Sequence, residues 1–548
     1  MVIEIGDRAI WQSKDPAFND RLHTAAQWIS DCDSYHAACK ENIQVKPRRL
    51  LDLTLIEETD RIKLVSTADI TGSVRYATLS HCWGPQTSKP PLQTNHFTLQ
   101  AHLQGISISE LTQNFRDAVT ISRKFGLDYL WIDSLCIIQN DKADWEIEAA
   151  NMANIYRGGY INIAATASED AHGGIISLAS VSSETRCTRI HPSTSGVLTG
   201  SARGDDSSFM IRESLDHKIQ RQLSGSNYRY LTRGWVLQEL ALSPRTVHFP
   251  KGQLLWQCRH CFTSEDGTFW SSSLMSLANG SYTAGSFNFS SLRSSRNLWW
   301  QWIESYSTRD LTFETDVGPA IAGLVSFFQE RTNLTPVLGL WLETLAVDLH
   351  WGLQYRKQSR PPPLEPRESE FPSWSWLSVL PQQDVDFSVP GQYMTSSASL
   401  HINFWEVKWA NLAFTSSLMK SQLIVSSFVR NATINVPTPA TWTAASAYRV
   451  SVLGEPSWRG VCKLQYLFPE ETSQSVTLLQ LSQENTGRLI IDRFLVLLPQ
   501  RENRRHFYRI GTGDVQTPLS EATIDGEERT VHLDLHFSEL DRQTLLLV

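Results

Sequence analysis

Strand-like and helix-like segments alternate along the chain from residue 75 to about residue 262. Strand-like segments cover 75–80, 128–133, 160–165 and 245–249, and apolar side chains with helical spacing lie between them. Parallel strands need long crossover connections, which are usually helices. The alternation therefore predicts an α/β fold in which crossover helices join the strands of a parallel sheet.

Other patterns lie before and after this segment. Residues around Trp28 are typical of a helix, 297–306 and 317–330 have helical spacing, and 422–427 and 476–480 alternate as strands do. We therefore predict four regions: a preamble with a helix and a hairpin (1–70), the α/β domain (71–262), a helical, aromatic-rich region (263–376) and a β-rich C-terminal domain (377–548).

Composition excludes several classes of function. The 548 residues are 41% hydrophobic and 19% charged, with a net charge of -8 and no basic run, so nucleic-acid binding is not expected. No apolar stretch approaches the ~20 residues of a membrane span, and the N-terminus does not have the pattern of a signal peptide. We expect a cytoplasmic protein without a membrane span.

The segment from Trp235 to Leu240 carries the first candidate for chemistry. Thr232 reads as the N-cap of a short helix that Pro244 stops before an extended run, and Glu239 lies one turn after Trp235. Glu239 is our candidate catalytic residue. The structural interpretation is a carboxylate used for an ion pair or for helix packing.

Further candidates lie where predicted strands end, because ligand sites of open α/β sheets lie beyond the carboxyl ends of the strands. Ser80, His81 and Trp83 follow the first strand, and Asp133 follows the second. Glu148 lies beside the apolar stripe of the next helix, where a carboxylate needs a partner or a purpose. For Glu148 the structural interpretation is a buried partner of an arginine, and for Asp133 it is the cap of a turn.

Four ordered blocks of sequence resemble the fungal heterokaryon-incompatibility (HET) domain. They are Tyr76-Ala-Thr-Leu-Ser-His-Cys-Trp-Gly84, Leu130-Trp-Ile-Asp-Ser-Leu-Cys-Ile-Ile-Gln139, Asp144-Trp-x-x-Glu148 with Met152-x-x-Ile-Tyr156, and Arg233-Gly-Trp-x-Leu-Gln-Glu-Leu240. The resemblance implies a fungal protein of non-self recognition and programmed cell death. It also implies other incompatibility or cell-death proteins as partners, and a homo-oligomer is compatible with it.

The order of these blocks is also similar to that of TIR domains, which implies a flavodoxin-like parallel sheet. In enzymatic TIR domains the glutamate of the last block catalyses NAD cleavage; here the matching position is Glu239, with Val236 where cysteine would stand. Ser80, His81, Asp133 and Glu148 would then bind the substrate, and Trp83 or Trp235 would stack on a ring. Two functions stay open: an NAD glycohydrolase, and a non-enzymatic module that recruits partners.

We expect neither a bound cofactor nor a metal, so that NAD would be a substrate only. No glycine-rich phosphate-binding motif occurs in the chain. Cys32-x-x-x-His36-x-x-Cys39 and Cys258-Arg-His260-Cys261 have spacings suited to zinc and could form one site. The expected alternative is that these thiols are buried core residues on a helix face and a turn.

Overall fold

A computed structural model defines the fold and divides the chain into two compact units, Met1–Asn288 and Phe289–Val548. The finer division into four regions stays a prediction. The structure describes residues 3–6, 18–40, 46–85, 89–179, 188–190, 209–213, 228–252, 254–265, 269–271, 292–353, 371–380, 385–386, 401–405, 422–435, 448–452, 455–464, 473–485, 489–500, 503, 505–518, 520–524, 527–531 and 542–548.

The first unit is built on one large mixed sheet and a small three-stranded sheet. Its strands are β1 (Ile3–Gly6), β2 (Arg49–Asp52), β3 (Arg61–Ser66), β4 (Tyr76–Ser80), β5 (Ile106–Ser107), β6 (Tyr129–Trp131), β7 (Ile161–Ala164), β8 (Thr188–Ile190), β9 (Phe209–Glu213), β10 (Arg245–His248), β11 (Leu255–Cys258), β12 (Cys261–Ser264) and β13 (Phe269–Ser271). The large sheet has the order β13-β12-β11-β10-β7-β4-β6-β2-β3-β5, and the small one has the order β1-β9-β8.

Four adjacent strands at the centre of the large sheet are parallel. β10 pairs with β7, β7 with β4 and β4 with β6, all in parallel, whereas the flanking strands pair antiparallel. The mixed α/β architecture with a parallel sheet is thus confirmed. Numbered along the chain, the four parallel strands have the spatial order 2-1-3-4, which is the order of flavodoxin-like sheets. A specific likeness to TIR domains stays a prediction.

Helices make the crossovers between the parallel strands. The helices of this unit are α1 (Phe18–Tyr35), α2 (Ile56–Thr59), α3 (Leu99–Gln104), α4 (Gln113–Lys124), α5 (Asp133–Cys136), α6 (Lys142–Gly158), α7 (Ile176–Ala179), α8 (Arg229–Thr232) and α9 (Gly234–Leu242). Gly126, which follows α4, has a φ of 71°, where glycine ends a helix at little cost. α4 connects β4 to β6, and α6 connects β6 to β7.

Three central strands of the large sheet are buried, including their polar side chains. Every residue of β4, β7 and β10 is buried, as expected for parallel strands that are covered on both faces. The predicted hairpin is also present, because β2 pairs antiparallel with β3 and extends the sheet through β6. The predicted preamble therefore contributes strands to the large sheet.

The start of α6 gives a direct test of helix capping. The Asp141 carboxylate accepts hydrogen bonds from the backbone N–H groups of Ala143 (3.0 Å) and Asp144 (3.1 Å). We expect Asp141→Ala to destabilise the start of α6 by about 1 kcal/mol, which corresponds to about fivefold faster hydrogen exchange in that turn. Asp141→Asn is the control, since asparagine caps as well as aspartate does; equal effects of both variants would contradict this role.

The second unit combines a helical, tryptophan-rich part with a separate β-rich sheet, as predicted. Its elements are α10 (Leu292–Ser307), α11 (Pro319–Thr332), β14 (Pro336–Val337), β15 (Leu340–Trp341), α12 (Leu345–Asp348), β16 (Gly352–Leu353), β17 (Val385–Asp386), β18 (His401–Trp405), β19 (Gln422–Asn435), β20 (Tyr448–Val452), β21 (Glu455–Leu464), β22 (Ser473–Asn485), β23 (Leu489–Pro499), β24 (His506–Pro518), β25 (Ser520–Ile524), β26 (Glu527–Val531) and β27 (Arg542–Leu547). The eight-stranded sheet follows the order β18-β19-β20-β21-β24-β23-β22, and β27 pairs with β19 and β24. Trp299, Trp302 and Trp341 are fully buried.

Candidate functional site

Glu239 lies on α9, which follows α8 after the single residue Arg233 and leads to β10. The predicted N-cap was wrong, because the cap residue is Arg233, and Thr232 ends α8. The Thr232 hydroxyl donates to the carbonyl of Arg229 at 3.0 Å, so it is used by the preceding turn. The helix ends before Pro244, as predicted, and the carboxylate is held on a rigid element that leads into the parallel sheet.

The Glu239 carboxylate is buried among polar groups. Its side chain is 4% exposed, and Oε2 forms no hydrogen bond within the part of the chain that the structure describes. Burial raises the pKa of Glu239 to about 7, while the charge of Arg233 and the neighbouring hydroxyl groups of Ser80 and Tyr156 oppose this rise. Near neutral pH this group can therefore hold or release a proton.

Ser80 lies at the carboxyl end of β4, beside the neighbouring strand β7. Its hydroxyl donates to Asn162 Oδ1 at 3.0 Å, and the same oxygen accepts the Thr78 hydroxyl at 3.0 Å. In a sheet of order 2-1-3-4, the β4–β7 pair is the point where the strand order reverses, and ligands bind outside such points. Ser80 and Glu239 thus meet where this fold class places its sites.

Asp133 belongs to the same cluster. Its Oδ2 accepts the indole N–H of Trp83 at 2.8 Å, and Oδ1 accepts the backbone N–H of Ser134 at 2.7 Å. The negative charge of Asp133 also acts on Glu239 and raises the pKa of that carboxyl. Asp133 and Trp83 are only partly buried. The aspartate therefore both caps the next turn and connects Trp83 to the site.

His81 and Cys82 point to different surroundings. The His81 ring packs edge-on against Phe115, with ring centroids 5.2 Å apart, whereas Cys82 belongs to the cluster of buried apolar residues around Tyr230. Burial lowers the pKa of His81 to about 4 and raises the pKa of the Cys82 thiol. Both side chains are neutral at pH 7, which gives no support to thiol catalysis.

Glu148 lies in a different electrostatic environment from Glu239. It is fully buried on α6, and burial raises the pKa of its carboxyl to about 7, against the charge of Arg49. The neighbouring Asp144 takes the ion pairs, with Arg48 at 2.6 Å and with Arg49, and accepts the Ile138 N–H at 2.8 Å. Arg49, Asp144 and Arg48 thus act on Glu148 through their charges, and its role as the buried partner of an arginine stays a prediction.

Trp235 is partly buried and packs against the main hydrophobic core of the first unit. Trp235 lies on the same helix as Glu239, and its contacts with the core hold the indole in place. Stacking of Trp235 or Trp83 on a ligand stays a prediction, as does substrate binding by Ser80, His81 and Asp133. For Glu148, whose binding role is also untested, we favour the structural interpretation.

Two members of the cluster were not singled out from the sequence. Tyr156 reads as part of the apolar stripe of α6, yet its buried hydroxyl interacts with both Ser80 and Glu239. Arg233 donates a hydrogen bond from Nη1 to the His81 carbonyl and acts on the charges of Glu239 and Asp133. The one sequence signal for Arg233 was its place at the start of the block Arg233-Gly-Trp-x-Leu-Gln-Glu-Leu240, which resembles the HET domain.

Comparison with known families locates one domain in the first unit. Residues 76–239 match the family model described as heterokaryon incompatibility protein (HET). The matched segment begins at β4 and ends at Glu239, so it contains the whole cluster of Ser80, Asp133, Tyr156 and Glu239.

No curated protein and no solved structure matches the chain. Among the described residues, no helix has both the length and the apolar character needed to cross a bilayer. A HET domain indicates a function of the heterokaryon-incompatibility type. Within this chain, residues 76–239 are therefore identified as a HET domain.

Proposed function

We propose that this protein is a cytoplasmic effector of non-self recognition and programmed cell death that cleaves NAD at the nicotinamide–ribose bond. The observation that carries the proposal is the Glu239 carboxylate, which is buried beside Ser80 at the carboxyl end of β4 and whose Oε2 accepts no hydrogen bond from the residues that the structure describes. A buried carboxyl with a perturbed pKa beside hydroxyl groups and an arginine is typical of a reactive site.

The reaction needs little from the protein beyond one positioned negative charge. The bond between ribose C1′ and the pyridinium nitrogen breaks, the electron pair stays on the nitrogen, and nicotinamide leaves as a neutral ring. A water oxygen then adds to C1′ and releases a proton, which gives ADP-ribose. Ionised Glu239 would stabilise the oxocarbenium-like centre between these steps, and no metal or redox partner is required.

The other members of the cluster have roles that fit this reaction. The hydroxyls of Ser80 and Tyr156 lie next to Glu239 and would orient it toward the ribose. Trp83 and Asp133 are partly exposed and joined by a hydrogen bond, so they would form the side by which the substrate enters. His81 is neutral and would contribute shape rather than charge.

A second function is favoured by a different aspect of the same geometry. Glu239 is only 4% exposed, and Arg233 lies close enough to lower its pKa, as a structural carboxylate would require. On this alternative the HET domain is an interaction module that recruits other incompatibility or cell-death proteins, alone or as a homo-oligomer. The cluster of polar groups then stabilises the fold and performs no chemistry.

Nicotinamide release from NAD by the purified full-length protein, at high protein concentration, separates the two functions. The enzyme requires release by the wild type and its loss in Glu239→Gln. Expression of both forms in a fungal host gives a second readout, because an enzymatic effector loses its toxicity with the substitution. Toxicity that persists in a folded Glu239→Gln protein would favour recruitment.

A further inference from the structure

We propose that the first unit contains a structural zinc site formed by Cys32, His36, Cys39 and Cys258. One ligand atom from each of these side chains lies within 4.8 Å of the ligand atoms of the other three. Tetrahedral zinc with bonds of about 2.0 Å to nitrogen and about 2.3 Å to sulfur places its ligand atoms roughly 3.5–3.8 Å apart. The four groups thus need only a small contraction to close around one ion.

The backbone presents three of the four groups without using one continuous helix, contrary to our expectation. α1 ends at Tyr35, and the next residue still donates its N–H to the Cys32 carbonyl at 3.0 Å, so His36 stays one turn after Cys32. A short 3₁₀ turn, Ala37–Cys39, then folds back, with the Cys39 N–H donating to the His36 carbonyl at 3.0 Å. The chain therefore curls around a common centre.

The fourth group comes from a distant part of the sequence. Cys258 ends β11, and its Sγ lies 3.4 Å from His36 Nδ1 and 3.7 Å from Sγ of Cys261, the first residue of β12. A two-residue loop joins these strands, and of the two cysteines beside it Cys258 belongs to the cluster of four ligand groups, whereas Cys261 does not. An ion here would join the end of α1 to this hairpin.

Hydrogen bonds to the sulfur atoms favour thiolates over thiols. The backbone N–H groups of His260 and Cys261 both donate to Cys258 Sγ, each at 3.4 Å, and Arg245 Nε donates to Cys32 Sγ at 3.2 Å. A protonated thiol is a weak acceptor, whereas a metal-bound thiolate is stabilised by such donors from its surroundings. Three donors directed at two sulfur atoms are not expected from ordinary core packing.

The three cysteines are buried and His36 is partly exposed, which suits a structural ion that enters from the side of His36. Cys32, Cys39 and Cys258 are each at most 3% exposed, while His36 is partly exposed. The donor set of three sulfur atoms and one imidazole matches structural zinc, which has four protein ligands and no open position. None of these residues contributes to the cluster around Glu239, so the site does not depend on the proposed function.

Elemental analysis of the reduced full-length protein, produced with zinc in the medium, tests the site. We expect about one zinc ion per chain, falling below roughly a tenth of that in Cys39→Ser and Cys258→Ser. Cys136→Ser, which alters another buried thiol of the same unit, is the matched control and should retain the metal. Folded wild-type protein without zinc, or with a disulfide among these cysteines, would overturn the proposal.

Cobalt substitution of the wild type provides an answer if the variants do not fold. Co²⁺ in a tetrahedral sulfur-rich site gives intense visible ligand-field bands and a thiolate charge-transfer band. Absence of these bands after Co²⁺ is added to the folded, reduced, metal-free protein overturns the site. Cys261→Ser should keep both bands; their loss in that variant together with retention in Cys39→Ser would show that the ligand set is wrong.

Discussion

Glu239→Gln is expected to abolish nicotinamide release from NAD, with a loss of roughly 10³-fold in kcat/KM. Glutamine keeps the shape and hydrogen-bonding capacity of the side chain but removes the charge that would stabilise the oxocarbenium-like centre. The measurement is the initial rate of nicotinamide release, with NAD below saturation, for wild type and variant at pH 8.

Glu148→Gln is the matched control for this experiment. Glu148 is also a buried glutamate with its pKa raised to about 7, but the charges that act on it come from Arg49, Asp144 and Arg48. Turnover should therefore survive the substitution. Equal losses in both variants would contradict a specific role of Glu239 and would point to a general effect on the fold.

The pH profile of the wild type follows from the same carboxyl. Because the ionised form is the active one and the pKa of Glu239 is raised to about 7, kcat/KM should rise by about tenfold between pH 6 and pH 8. His81 does not add a second limb in this range, since its pKa is lowered to about 4. A profile that is flat over these two units would exclude Glu239 as the group that titrates in turnover.

Local patterns were enough to predict the α/β architecture and to single out Ser80, Asp133 and Glu239, but not Tyr156 or Arg233. The segments 75–80, 160–165 and 245–249 could be read as the strands β4, β7 and β10, and the helical spacing of apolar side chains marks α4 and α6. Ser80 and Asp133 could be placed because strands of one parallel sheet end at the same edge. These inferences depend on neighbours in sequence and on one general rule of topology.

Long-range proximity could not be predicted in the same way. Glu148 and Glu239 look equivalent in sequence, and only the fold gives one of them Ser80 and Tyr156 and the other Arg49 and Asp144. Likewise, the spacing of Cys32, His36 and Cys39 fits both a helix face and a metal site. The decisive fact is the position of Cys258, more than 200 residues later in the chain.

The same Glu239→Gln substitution is expected to stabilise the fold above neutral pH. The pKa of Glu239 is about 7 in the folded protein, against 4.5 for an ordinary glutamate. The folded state therefore binds the proton more tightly than the unfolded state, and stability falls as pH rises from 4.5 to 7. Ionisation of Glu239 therefore lowers the free energy of unfolding by about 3 kcal/mol at pH 8, but by less than about 1 kcal/mol at pH 5.

Urea unfolding of wild type and variant at both pH values measures this difference, with pulse proteolysis identifying the transition of the first unit. Glu239→Gln and Glu148→Gln should both raise the free energy of unfolding at pH 8, because each removes a buried carboxylate that burial disfavours. Only Glu239→Gln should also lose turnover. If Glu239→Gln instead destabilised the fold at pH 8, the glutamate would be an ionised structural partner of Arg233, and the recruitment function would be favoured.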